Sequence, residues 1–333
     1  MDFQLSNLSS VSIGYIPLRV SSDTGSTNCS ALGYDASYQF VLIPIIYMIL
    51  FVVGIVGNTV IIVGLTCCIQ AKSVANIYIV NLAIADLSFV ATLPFWAIDM
   101  SVKYKWVFGS CMCKLCATLS SVNMYASIFF LTCLGADRYY SIVHPIEAHG
   151  KRTLTKAKMI ILFVWLSSIA VSTPTIFFRQ TYYSSYSHQI VCAMKYPPNS
   201  LFWHIFVYSV KFILGFFIPF IIQGICYVLI YKKILASAKA KRKKTKSDNV
   251  LRAVVAMVLA FFICWLPFHI VNLLKLLARF KLITSCMTIH NINVVIPITV
   301  CIAYSNSCIN PILYYFASKR FRNQLIKSLK RSL

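Results

Sequence analysis

The sequence predicts an all-α membrane protein: a seven-transmembrane helix bundle with a short amphipathic cytoplasmic helix after helix 7. Three observations predict it. Apolar residues make up 59% of the 333-residue chain and charged residues 12%, with a mean hydropathy of +0.76. A soluble domain carries about 25% charged residues, so this chain has too few charges to cover a water-exposed surface. The apolar residues also fall in blocks long enough to cross a bilayer, whose core of about 30 Å takes roughly 20 residues of helix. Finally, the formal net charge of +23 sits in short stretches between and after those blocks, such as Lys239 to Lys246 and Lys319 to Arg331. Basic residues are placed so on the cytoplasmic side of membrane proteins.

Taken in order, residues 1–39 read as an extracellular segment. The first twenty residues lack the apolar core of a cleaved signal peptide, so the first span is expected to act as an uncleaved signal. The sequons at Asn7 and Asn28 are usable only if this end is extracellular. The bundle occupies residues 40–316, with apolar runs at Phe40–Cys68, Val74–Met100, Cys111–Tyr140, Lys158–Phe178, Leu201–Ala236, Asn249–Phe280 and Ile289–Phe316. The connections are short except for Arg179 to Ser200, which reads as a loop. With the N-terminus outside, 21 of the 31 Lys and Arg residues face the cytoplasm, as the positive-inside rule requires. Residues 317–333 place Phe321, Leu325, Leu329 and Leu333 on one helical face among basic residues. That pattern predicts a helix lying in the cytoplasmic interface against membrane lipids.

The same features set other functions aside. Basic residues confined to loops do not form a nucleic-acid surface. Transporters show duplicated halves with matching broken helices, and neither occurs here. Zinc spacings, nucleophile elbows and phosphate loops are absent, and His269 has no evident catalytic partner, so the chain does not read as an enzyme. Of thirteen cysteines, Cys67, Cys68, Cys111, Cys116, Cys133, Cys226, Cys264, Cys301 and Cys308 lie in helices or at their ends and are expected to pack as small apolar groups. Cys29, Cys113, Cys192 and Cys286 lie in polar outer regions, which suits two disulfides.

Polar groups at membrane depth are costly and point to function. They are Gly57-Asn58 in helix 1, Asn81 to Asp86 in helix 2, Asp137-Arg138-Tyr139 with Pro145 at the end of helix 3, and Trp165 in helix 4. Pro219 in helix 5, Cys264-Trp265-Leu266-Pro267 in helix 6 and Asn310-Pro311-Ile312-Leu313-Tyr314 in helix 7 complete the series. One such element per helix, in this order, resembles the rhodopsin-like class of G-protein-coupled receptors from about residue 40 to 333. Asp86 has no Lys or Arg facing it at its depth, so it is protonated, hydrogen-bonded or paired with a small cation. Asn123, Ser127, Asn306 and Asn310 offer it oxygen ligands. The resemblance implies a sodium ion here; a purely polar packing network is the alternative reading.

The resemblance also implies a switch. Arg138 pairs with Asp137 when the receptor is inactive and turns to a heterotrimeric G protein on activation. Pro219, Pro267 and Pro311 each remove a backbone hydrogen bond and loosen their helices. With Trp265, Tyr227 and Tyr314 they form a two-state element that a ligand biases by its differential affinity. The acid that often forms a second lock in this class is replaced by Ser247, so the resemblance does not extend to that lock.

For the ligand, helix 7 has no Lys to form a retinal Schiff base, and Ser120 stands where amine receptors carry an Asp. The outer half is basic instead. Lys211 lies within helix 5, nearly two turns above Pro219, where an unpaired ammonium is expensive. It binds a ligand carboxylate or reaches outward to water. Stretches such as Asn76–Ala97, Asn123–Cys133, Lys211–Pro219 and Val258–Ile270 are similar to the angiotensin II receptors, the type 2 receptors among them. That resemblance implies an extracellular peptide ligand whose terminal carboxylate is gripped by Lys211 and Arg179. It places Trp96, Trp265 and His269 in the pocket, makes Asn123 a restraint on the inactive state, and pairs Cys113 with Cys192 and Cys29 with Cys286. Chemokine, kinin or apelin-like peptides and anionic lipids are the alternative ligands. The chain departs from the subfamily at Lys275 and Asn293, where those receptors carry acids that receive the peptide's arginine. The substitution predicts a preference for a less basic peptide.

Overall fold

A computed structural model describes residues 38–68, 73–185, 187–197, 201–239, 248–280, 282–318, 321–323 and 325–326. Among them are seven helices long and apolar enough to cross a membrane: Gln39–Cys67, Val74–Ser101, Gly109–Val143, Leu154–Phe178, Leu201–Ala236, Leu251–Ala278 and Cys286–Phe316. The third begins two residues earlier and ends three later than the apolar run, because the helix continues through Gly109 and Ser110 at one end and Ser141 to Val143 at the other. The residues that start three spans are side-chain caps. Ser73, Thr153 and Ser285 accept from the backbone N–H groups of Asn76, Lys156 and Thr288 at 3.2, 3.3 and 3.4 Å.

Two spans are irregular in ways that matter for the site. Span 2 is helical over Val74–Val90 and again over Leu93–Ser101. Between them Thr92 turns its hydroxyl back onto the Phe89 carbonyl at 2.7 Å, and Pro94 opens the second segment. Span 5 carries a wide π-helical turn over Ile213–Phe217, directly after Lys211 and before Pro219, whose missing N–H cannot continue a regular ladder.

The stretch read as a loop after span 4 is a β-hairpin. Strands β1 (Arg179–Ser184) and β2 (Gln189–Met194) pair antiparallel with Arg179 opposite Met194 and Thr181 opposite Cys192. The Cys113–Cys192 disulfide ties it to the start of span 3. The Trp106 backbone N–H donates to the Ile190 carbonyl at 2.9 Å, and Gln189 Nε2 donates to the Lys103 carbonyl at 2.7 Å. These bonds fasten the hairpin across the mouth of the bundle. Cys286 is also disulfide-bonded; Cys29, its expected partner, lies outside the described residues, as do Asn7, Asn28 and Ser247.

The core is continuous along the bundle, with Phe89, Tyr125, Phe130, Leu131, Leu134 and Phe261 wholly buried. The opposite faces of the spans expose large apolar residues, among them Val41, Ile45, Met48 and Val52 on span 1, Phe163 on span 4 and Ile263 on span 6. A soluble monomer does not tolerate so large an apolar surface, whereas lipid covers it. Cys116, Cys264, Cys301 and Cys308 are buried and Cys133 and Cys226 half-buried, but Cys67 and Cys111 are exposed and do not pack as expected, since each faces out of the bundle. Spans 1, 2 and 7 approach most closely at Gly54. A Cβ there would lie 2.7 Å from a Val90 methyl and 3.1 Å from Cys308 Sγ. After span 7, Ser318 accepts from the Phe321 N–H at 3.3 Å, and the buried Phe321 ring packs 5.1 Å from Tyr314. Residues 321–323 and 325–326 are helical, with Leu325 packed against the core, whereas Leu329 and Leu333 of the expected amphipathic helix lie outside the described residues.

Candidate functional site

Beneath the hairpin lies a cavity that brings Trp96, Arg179, Lys211 and Trp265 together with Ser120, Ser121, Met124, Thr175, Met194, Phe268, Ala303 and Tyr304. Its charged groups are cationic. Arg179, first residue of β1, is buried. It is held with its guanidinium carbon 5.3 Å from the Trp96 ring centroid and its Nε donating to Cys192 Sγ at 3.3 Å. Its Nη2 has no protein partner. Burial pulls its pKa below the ordinary arginine value, and the nearby Tyr304 and Asp99 oppose that shift. A desolvated guanidinium beside a lysine makes a receptor for a carboxylate, whose two oxygens match the fork of donors.

A smaller chamber adjoins it, lined by Tyr47, Trp96, Asp99, Met100, Tyr104, Arg179 and Tyr304. Asp99 and Tyr304 were not singled out from sequence. The signal for Asp99 was present, because it lies three residues after Trp96 and so on the same helical face. His269 does not line either chamber. It packs in an aromatic cluster, 4.8 Å from the Phe216 centroid, 5.5 Å from Phe268 and 6.3 Å from Trp265. Lys275 and Asn293 are likewise absent from both linings; Lys275 is buried elsewhere in span 6 and Asn293 is half-buried in span 7.

Deeper in the bundle, Asp86 is fully buried and accepts three side-chain hydrogen bonds. Asn123 Nδ2 and Ser127 Oγ donate to Oδ1 at 2.9 and 3.2 Å, and Asn310 Nδ2 donates to Oδ2 at 2.9 Å. Ser307, missed in the sequence, joins the network by donating to Asn123 Oδ1 at 3.3 Å. Asn58 binds span 1 to span 7 through the Ser307 carbonyl at 3.0 Å, and Trp165 binds span 4 to span 2 through Asn81 at 3.0 Å. Asn306 is buried, but its Oδ1 has no protein partner, and neither do Asn58 Oδ1 and Asn310 Oδ1. A buried carboxylate with amide oxygens to spare fits a hard monovalent cation, which takes oxygen ligands.

At the other end of the bundle, Asp137 is nearly buried between two arginines. Arg138 Nη2 donates to Asp137 Oδ2. Arg152 grips both oxygens, Nε to Oδ1 at 2.7 Å and Nη2 to Oδ2 at 2.9 Å. Arg152 was counted in the sequence only as loop charge. A short helix, Pro145–Lys151, returns the chain so that it reaches back fifteen residues to Asp137. Tyr139 shares a 3.1 Å hydrogen bond with His144 Nε2. Arg138 Nε and the Tyr227 hydroxyl are buried without protein partners. Pro267 and Pro311 lie inside spans 6 and 7, with Tyr314 buried one turn past Asn310.

Comparison with known proteins agrees with this arrangement. The profile of the seven-transmembrane receptors of the rhodopsin family matches residues 57–314. The type-1 angiotensin II receptor of Gallus gallus is 37% identical over 294 residues, covering 88% of this chain and 82% of that protein. The type-1 angiotensin II receptor B of Xenopus laevis is 38% identical over 302 residues, with coverages of 91% and 82%. The type-1 angiotensin II receptor A of Mus musculus is 38% identical over 294 residues, with coverages of 88% and 82%. The chain belongs to the rhodopsin family of seven-transmembrane receptors.

Proposed function

We propose that this receptor binds a peptide of the angiotensin II type outside the plasma membrane and transmits the event to a heterotrimeric G protein inside. The observation that carries the reading is the juxtaposition of Arg179 and Lys211 on one cavity, with Arg179 Nη2 lacking a protein partner. Two converging cations under a hairpin suit the terminal carboxylate of a peptide that enters from the mouth. The relatives' ligand has such a terminus. The hairpin end faces outward in this reading, because the opposite orientation would put the majority of the loop cations outside. Trp265 forms the floor of the cavity and Pro267 follows it in span 6, so a ligand that favours one position of Trp265 shifts span 6. Asp137 holds Arg138 until that shift releases it towards the G protein. Asp86, with Asn123, Ser127, Asn306 and Asn310 around it, would hold a sodium ion, which supplies the counter-charge for a buried carboxylate in this state. The tail after Phe321 would rest on membrane lipids.

The test is binding of labelled angiotensin II to cells expressing the receptor, beside Lys211→Ala at matched surface level. Loss of a buried charged partner costs about 2–5 kcal/mol, so affinity should fall at least 30-fold. Equal binding by the two receptors would remove the carboxylate grip. Absence of binding to the native receptor at the surface would remove the angiotensin-like ligand.

A further inference from the structure

The smaller chamber adds an acid to the cation that it shares with the main cavity. Asp99 is the one acid lining either space among the described residues. It is 95% buried, and its Oδ1 has no protein hydrogen-bond partner. Around it stand the rings of Trp96, Tyr47, Tyr104 and Tyr304. A carboxylate among aromatic faces is the environment that receives an organic cation, by ion pairing at the acid and cation–π contact with the rings. Arg179 borders the same chamber and could have satisfied the acid itself. Instead it lies over Trp96 and spends its Nε on Cys192, leaving Asp99 Oδ1 and Arg179 Nη2 both without partners. Two unsatisfied groups of opposite charge on adjoining walls fit a ligand that carries both charges.

We propose that Asp99 is the specificity subsite for a guanidinium or ammonium group of the peptide, while Arg179 and Lys211 hold its carboxylate. The proposal rests on the peptide reading above. It also revises the expectation drawn from Lys275 and Asn293: a basic peptide is not rejected, because its cation goes to span 2 rather than to spans 6 and 7. The bend at Ala91–Thr92 is what aims this segment. It carries Trp96 and Asp99 on one face, so the acid sits beside the residue over which Arg179 is stacked.

The experiment uses the whole receptor on cells and two radiolabelled peptides, angiotensin II and its analogue with the arginine replaced by citrulline, which keeps the shape and removes the charge. Both are measured on the native receptor, Asp99→Asn and Asp99→Glu. The native receptor should prefer the arginine peptide by about 10- to 100-fold. Asp99→Asn should lose that preference while keeping its affinity for the citrulline peptide, which also shows that it is folded; Asp99→Glu should keep part of the preference. Equal binding of the two peptides by the native receptor overturns the subsite and leaves the peptide reading intact. So does an Asp99→Asn receptor that binds both peptides more tightly, which would mean that Asp99 restrains Arg179. Failure of the native receptor to bind either peptide at the surface would instead overturn the peptide reading, and the subsite with it.

Discussion

Asp86→Asn separates the charge of the bundle's centre from its hydrogen bonding. An asparagine in the same place keeps the bonds from Asn123 and Ser127 at its carbonyl oxygen. The third bond, from Asn310 to Oδ2 at 2.9 Å, would meet an NH2 group. Asn310 Oδ1 has no protein partner, so the Asn310 amide can turn over and accept where it previously donated. All three bonds survive, and the cost of the substitution is under about 1 kcal/mol. Asp86→Leu, by contrast, strands the donors of Asn123, Ser127 and Asn310, a loss of about 3–9 kcal/mol at about 1–3 kcal/mol for each orphan. The charge shows itself through sodium. If sodium is present at about ten times its dissociation constant, linkage adds about 1.4 kcal/mol to the native receptor, a shift of about 2–4 °C for a chain of this size. The assay is the thermal unfolding of purified receptor in sodium chloride against equimolar choline chloride. The native receptor should melt higher in sodium, Asp86→Asn at one temperature in both salts and close to the native value in choline, and Asp86→Leu well below. A sodium shift retained by Asp86→Asn, or absent from the native receptor, would refute the assignment of the ion to this carboxylate.

Two further substitutions probe the frame and the lock. Gly54→Val drives a side chain into Val90 and Cys308 at separations of 2.7 and 3.1 Å, and neither wall has room because Val90 and Cys308 are buried. Overpacking of that kind costs about 1–3 kcal/mol, so the melting temperature should fall by several degrees, while Gly224→Ala, which meets nothing within 4 Å, should leave it unchanged. Arg152→Gln removes the two-pronged hold on Asp137; for a side chain one-third exposed this is worth about 1 kcal/mol. Basal nucleotide exchange on a reconstituted G protein should rise about fivefold, and more for Asp137→Asn. Unchanged exchange in Arg152→Gln beside a rise in Asp137→Asn would show that Arg138 alone holds the inactive state.

The seven spans were legible because lipid imposes a length and a polarity on each, and both are visible in the run of apolar residues. Boundaries shifted by two or three residues at span 3, where the helix continues past both ends of the apolar run. The β-hairpin was not legible: its strands have no clean alternation, and its position is set by a disulfide and by bonds to Lys103 and Trp106 far along the chain. The cationic half of the site could be read from Lys211, because an ammonium inside an apolar run demands an explanation. Asp99 shares a helical face with Trp96, three residues before it, but the bend that turns that face inward is not visible in the sequence. Arg152 was hidden for a similar reason, since its partner is reached only by the return of the Pro145–Lys151 helix. Ser307 was hidden because a serine beside Asn306 has no cost of its own to betray it.

Most of the buried polar atoms without protein partners among the described residues fall along one path. They run from the mouth, at Asp99, Trp96 and Arg179, through Trp265 and His269, to Asn58, Asn306 and Asn310, and on to Arg138 and Tyr227 at the lock. Each buried group left unpaired costs about 1–3 kcal/mol, and folded proteins keep few of them. Such groups persist where a chain has more than one arrangement to satisfy, because a set of bonds complete in one state leaves gaps in the other. A ligand that pairs Asp99 and Arg179, an ion that takes the amide oxygens beside Asp86, and a G protein that takes Arg138 each fill gaps at a different depth. The proline-loosened helices 5, 6 and 7 pass between those depths, so filling one set changes the geometry available to the next. On the proposed function, ligand, sodium and G protein would therefore be linked by the same small number of unsatisfied groups, and the linkage would be reciprocal: a stronger hold on Arg138 would weaken the hold on an activating ligand.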